Sequence, residues 1–143
     1  MKVVLVEDSE LIATEMLERL SRLPALAWVG HAAGEDEAVR LILDRQPEVV
    51  ILDLRLSPGS GLEVLRRIRD AACPARVLVL TNFTHPRMRS ACVQLGAEHF
   101  YDKHHQAQEC LQMVATLALR QPGGVVAPFL VSEVAATAEP CND

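Results

Sequence analysis

The chain has 143 residues, room for about one domain. Half of them are hydrophobic, and 19 acidic side chains against 14 basic ones give a formal charge of −5. This is the composition of a globular chain that folds without a metal or disulfide staple, and it excludes several partners. The basic residues nowhere gather into the phosphate-neutralising footprint that nucleic-acid binding requires. The longest apolar runs, Val3–Val6, Val49–Leu52 and Val77–Leu80, fall far short of the roughly 20 residues of a membrane-spanning helix. The N-terminus carries no signal-peptide pattern. Cys73, Cys92, Cys110 and Cys141 have neither C-x-x-C nor zinc-ligand spacing, which reads as reduced thiols, some of them core fillers, in a cytoplasmic protein.

Five short apolar runs alternate with segments of helical period. Val3-Val4-Leu5-Val6 is the first strand, followed by a helix that Ser9 caps and that turns Ile12, Ala13, Met16, Leu17 and Leu20 inward. Ala27-Trp28-Val29-Gly30 is a weaker second strand. A helix from about Gly34 carries Ala38, Leu41 and Ile42 and stops at Pro47. Val49-Val50-Ile51-Leu52 lacks alternation, as expected of a strand covered on both faces. Ser60-Gly61-Leu62-Glu63 has the form of a capping box and opens a helix with Leu62, Leu65 and Ile68 on one side. Val77-Leu78-Val79-Leu80 is the fourth strand. The next helix takes Pro86 at its first position, turns Met88, Ala91, Cys92 and Leu95 inward and ends at Gly96. His99-Phe100-Tyr101 is a short fifth strand, and a last helix buries Ala107, Leu111, Val114 and Ala118.

Strict alternation of strand and helix predicts an α/β fold with a parallel sheet and right-handed crossovers. The first, third and fourth strands are the most continuously apolar and belong in the middle. This matches a flavodoxin-like, doubly wound (βα)5 sheet of order 2-1-3-4-5. The folded part spans residues 1–120. Gln121-Pro122-Gly123-Gly124 breaks the pattern, and residues 121–143 are expected to be a short acidic tail without an output domain.

In such a sheet the functional crevice lies beyond the carboxyl ends of the strands. The first strand ends in Glu7-Asp8, the third in Asp53 and the fourth in Thr81, and the fifth leads to Lys103. Crowded carboxylates raise the cost of ionising one another, and a divalent cation removes that cost. Mg²⁺ suits the set because it takes hard oxygen ligands and keeps several waters. An Asp carboxylate can also act as a nucleophile toward phosphorus, with Lys103 offsetting charge and Thr81 donating to a phosphoryl oxygen. Any one of these residues has an ordinary explanation as a cap, turn former or surface group. Their joint occurrence at four strand ends is the signal.

With Val4-Leu5-Val6-Glu7-Asp8-Ser9, Val50-Ile51-Leu52-Asp53-Leu54-Arg55-Leu56, Gly59-Ser60-Gly61-Leu62-Glu63, Leu78-Val79-Leu80-Thr81-Asn82 and Leu95-Gly96-Ala97 through Lys103, the chain resembles the receiver domain of bacterial two-component response regulators over about residues 1–120. The resemblance implies that Asp53 is the phosphoacceptor. It implies a Mg²⁺ site of Glu7, Asp8, Asp53 and the backbone carbonyl of Arg55, with Asp8 a direct ligand. Thr81 is then the switch hydroxyl, Lys103 its charged companion and Phe100 the switch aromatic. The implied partners are a sensor histidine kinase or histidine phosphotransfer protein and a downstream protein met by the fourth helix, fifth strand and fifth helix. That face also offers a homodimer surface, and no direct nucleic-acid or membrane contact is implied. The chain departs from the family in having His104 after Lys103, where proline is common, so a trans bond is expected there. The loop proline, Pro58, stands one place from its commonest position.

The alternatives are an unphosphorylated interaction module of the same fold, an aspartyl phosphatase, and the receiver part of a longer DNA-binding regulator. A phosphatase wants a second Asp where this chain has Arg55, so the expected role is that of a phosphoacceptor rather than an enzyme acting on another substrate. The five histidines and Arg66, Arg67, Arg69, Arg76, Arg87 and Arg89 read as solvated surface.

Overall fold

The structure is a computed structural model and describes residues 1–120; the expectations for the tail and for Cys141 lie outside them. The chain runs β1 (Lys2–Val6), α1 (Glu10–Leu20), β2 (Trp28–Ala32), α2 (Glu35–Arg45), β3 (Val49–Leu52), α3 (Gly61–Asp70), β4 (Arg76–Thr81), α4 (Pro86–Gln94), β5 (His99–Asp102) and α5 (Ala107–Arg120). The strands form one parallel sheet in the order β2-β1-β3-β4-β5, as the distribution of apolar residues predicts. Val49–Leu52 is buried at every position, which is why it shows no alternation.

Successive strand residues point to opposite faces of the sheet, and the core divides accordingly. Val3, Leu5, Ile51, Leu78 and Leu80 pack with Met16 and Leu20 of α1 and Leu111 and Val114 of α5. Val4, Val6, Val50, Leu52, Val77 and Val79 pack with Ile42 of α2, Val64, Leu65 and Ile68 of α3, and Cys92 of α4. Burying a side chain such as Leu52 or Leu65 completely contributes about 1.5–3 kcal/mol. Cys73, Cys92 and Cys110 are buried free thiols. Burial pushes the Cys92 thiol up to about 11 and Cys110 to about 12, so they act as apolar fillers.

The expected helix starts are present with one revision. Ser9 accepts from the Ile12 amide at 3.3 Å, and Ser60 accepts from the Glu63 amide at 3.2 Å. The second half of the Ser60 capping box is not made by Glu63, which pairs with Arg66. Glu35 of α2 reaches across and accepts the Ser60 amide at 3.1 Å instead. Pro86 opens α4, and Gly96 follows it at φ +89°, the left-handed conformation a glycine takes without strain.

α4 is less buried than its spacing predicts. Of Met88, Ala91, Cys92 and Leu95, only Cys92 is fully buried. The helix lies beside the edge strand β5, and its outer side carries Val93 at 58% exposure.

Two expectations of a solvated surface are corrected. The Arg69 guanidinium donates to the carbonyls of Cys73, Ala75, Leu95 and Gly96 at 2.8–3.1 Å, binding the end of α3 to the start of β4 and the end of α4. Among the histidines, His31 lies 2.8 Å through Nε2 from the Glu7 carbonyl oxygen. His99 is half-buried and stacks on Tyr101, whereas His85 is exposed, as expected, while accepting the Arg87 amide at 3.0 Å as the cap of α4. Among the described residues the cis peptide bond is Ser57–Pro58.

Candidate functional site

The ladder of parallel hydrogen bonds runs one residue beyond the strands and so delivers the site residues in register. The Glu7 amide donates to the Ala32 carbonyl at 3.0 Å, Asp53 to Val6 at 3.0 Å and Lys103 to Thr81 at 2.9 Å. Glu7, Asp53, Thr81 and Lys103, spread over 97 positions of sequence, thereby meet at the carboxyl end of the sheet.

There the side chains form one network. Asp53 Oδ2 accepts from Lys103 Nζ at 2.6 Å, while Oδ1 accepts from the Thr81 hydroxyl at 2.9 Å and the Arg55 amide at 3.3 Å. Lys103 Nζ also donates to Glu7 Oε1 at 2.7 Å, and Glu7 Oε2 accepts from the Ser9 amide at 3.0 Å. Glu7, Asp53 and Thr81 are buried, with Thr81 wholly so. Burial opposes the charge on Lys103, but the hydrogen bonds it donates to Asp53 and Glu7 outweigh it and hold its pKa above the usual lysine value. Removing one partner from such a buried set would leave an uncompensated charge costing about 3–5 kcal/mol.

Asp8 completes the cluster. One carboxylate oxygen from each of Glu7, Asp8 and Asp53 lies within 4.8 Å of the other two. Three carboxylates against one ammonium leave a net charge of −2, and their oxygens are hard donors, a set suited to Mg²⁺. Asp8 is the most open of the three, whereas both Glu7 oxygens already accept protein donors.

Arg55 contributes its backbone at the floor and its side chain at the rim. Its guanidinium sits 5.3 Å from the Phe83 ring centroid. Both residues, with Asp8 and Met88, line an open cavity of about 490 Å³ at the mouth of the site. The loop after β3 returns so tightly that a Cβ on Gly61 would lie 2.0 Å from the Asp53 carbonyl oxygen, so only glycine fits. Phe100 is buried on the α2–α3–α4 side of the sheet, with the Arg89 guanidinium 4.6 Å from its ring centroid. The expected residues thus converge on Asp53, except Phe100, which lies behind the site. Trp28 stands opposite Lys2 at the far end of the sheet.

A family profile for the response regulator receiver domain matches residues 3–115. The chain belongs to this family. This receiver domain is 30% identical over 113 residues to the DNA-binding transcriptional activator DevR/DosR of Mycobacterium tuberculosis, covering 79% of this chain and 52% of that one. It spans about half the length of the curated relatives it matches first. Among solved structures it is similar to a LuxR-family two-component response regulator from Aurantimonas, at 29% identity and TM-score 0.74 over 94% of this chain and 95% of the other. It is also similar to a Burkholderia pseudomallei response regulator holding a phosphorylated aspartic acid and a calcium ion, at 27% identity and TM-score 0.68, covering 94% and 71%.

Sequence reasoning did not find Glu35, the Arg69 clamp, the contact of His31 with Glu7, or the Arg55–Phe83 pair. Each is a contact between distant segments with no local spacing signal.

Proposed function

We propose that this receiver domain is a phosphorylation switch in which Asp53 accepts a phosphoryl group from a sensor histidine kinase or a histidine phosphotransfer protein. An Asp53 carboxylate oxygen attacks phosphorus, the N–P bond of the phosphohistidine breaks, and the imidazole nitrogen keeps the electron pair. Glu7, Asp8, Asp53 and the Arg55 carbonyl would hold Mg²⁺, which supplies a positive charge to the transferring oxygens. Lys103 neutralises charge at the acceptor through Oδ2. Thr81, already donating to Oδ1, transfers its hydrogen bond to a phosphoryl oxygen.

The observation that carries this reading is the convergence of two further carboxylates, one ammonium and one hydroxyl on the carboxylate of Asp53. The phosphorylated aspartic acid of the Burkholderia relative adds support.

The output would pass through β4, Phe100 and the α4–β5–α5 face to a protein partner, or to a second copy of the chain. In this reading the chain acts in the cytoplasm and works on no substrate beyond its own acyl phosphate. Among the described residues no helix is long and apolar enough to cross a membrane.

Intact mass after incubation with Mg²⁺ and acetyl phosphate tests the reading. One phosphoryl adduct that requires Mg²⁺ and is absent from Asp53→Asn is the expected result. The absence of an adduct with both acetyl phosphate and a phosphorylated kinase sinks it and leaves an interaction module. A second reading, the receiver part of a longer DNA-binding regulator, is favoured by the greater length of relatives such as DevR/DosR. The mass of the protein in its native cells decides that point.

A further inference from the structure

The loop between β3 and α3 is tied to the start of α2, a helix that sends no side chain into the carboxylate cluster. Glu35 makes the tie. Its amide donates to the Pro58 carbonyl at 3.0 Å. Its Oε1 accepts the Ser60 amide at 3.1 Å, and its Oε2 pairs with Arg67 of α3 at 3.0 Å. The loop lies close against it, since a Cβ on Gly59 would fall 2.3 Å from the Glu35 Cβ.

The connection continues inward. Ser60 forms an antiparallel bridge with Arg55, the Gly61 amide donates to the Leu54 carbonyl at 2.9 Å, and the Arg55 amide donates to Asp53 Oδ1. From Glu35 to Asp53 the contacts are unbroken: carboxylate, Ser60 amide, Arg55 backbone, acceptor carboxylate.

We infer that Glu35 is a positioning residue for the metal site, holding through the Ser60 amide the bridge that sets where the Arg55 backbone stands relative to Glu7, Asp8 and Asp53. The inference rests on the reading of the Arg55 carbonyl as a ligand. An acidic residue at a helix N-terminus has an ordinary role toward the helix dipole, but Asp36 and Glu37 fill that role in the same turn. Asp36 also pairs with Arg67 and is 80% exposed at its side chain against 21% for Glu35. It is therefore the control for charge without the contact to Ser60.

The test is calorimetric titration of the full chain with Mg²⁺ alone, beside thermal unfolding. Loss of a group that orients a metal ligand weakens binding on the order of tenfold, and this is expected for Glu35→Ala. Glu35→Asp keeps the charge but is one methylene too short for the Ser60 amide, and is expected to lose as much. Glu35→Gln keeps an acceptor oxygen and recovers most of the affinity, and Asp36→Ala binds as the wild type does. If Glu35→Ala fails to fold, Glu35→Asp decides. Wild-type affinity in a folded Glu35→Ala or Glu35→Asp, or an equal loss in Asp36→Ala, overturns the inference and leaves the phosphoacceptor reading standing. A wild-type chain that neither takes up Mg²⁺ nor forms an adduct overturns both.

Discussion

Helices α3 and α4 follow neighbouring strands and cover the same face of the sheet, yet they are held in different ways. α3 buries Gly61, Val64, Leu65 and Ile68, starts on the Ser60 cap, and is bound through Arg67 to α2 and through Arg69 to four carbonyls. α4 buries only Cys92, and every residue from Asn82 to Arg87 before and within its first turn is exposed. The helix that is fixed carries the loop behind Asp53, the proposed acceptor. The one that rests lightly follows Thr81. Elements near the low end of local stability are those from which moving parts are drawn, and here the division falls between two adjacent helices.

The contrast can be broken by mutation. Ile68→Ala should cost about 2–5 kcal/mol in denaturant unfolding, as for other wholly buried aliphatic residues. Cys92→Ala should cost about 1 kcal/mol, because α4 yields around the change. Equal losses would mean that the two helices are equally part of the core. Gly61→Ala should cost about 1–3 kcal/mol and lower the rate of adduct formation as well, since the new methyl group displaces the Asp53 carbonyl. Unaltered phosphorylation in a folded Gly61→Ala would show that this backbone approach has no bearing on the acceptor. The smallest effects concern the caps. Ser60→Ala should cost about 1 kcal/mol, and His85→Ala, at an exposed and loosely packed start, should lie within about 0.5 kcal/mol of wild type; thermal melts of the two side by side check the order.

Most of the fold was legible because each strand and helix carries its own local pattern. The apolar runs at Val3, Val49 and Val77 mark central strands, and Ser9, Pro86 and Gly96 mark helix ends. The candidate site was legible for a related reason: in a parallel sheet the strand ends meet, so Glu7, Asp8, Asp53, Thr81 and Lys103 could be assembled without knowing a single contact. What escaped is what depends on reach between segments. Nothing local distinguishes Arg69, which donates to four carbonyls, from Arg66 on the same helix, which pairs with its near neighbour Glu63. Nothing near Ser60 indicates that its amide is taken by Glu35 rather than by Glu63, because the capping box is equally well formed in sequence. The depth of α4 escaped as well, since spacing predicts which side of a helix turns inward but not how much lies above it.

The Arg69 clamp has a mechanical consequence. By holding the Leu95 and Gly96 carbonyls it pins α4 at its last turn, and Cys92 seats the same end in the core. The other end, at His85, follows the exposed segment Asn82–Thr84, and Met88 is its first residue to rest on the core. Were Thr81 to shift as the proposed switch requires, a helix so mounted would act as a door with its hinge at Leu95, and the displacement at its outer surface would be greatest at the first turn.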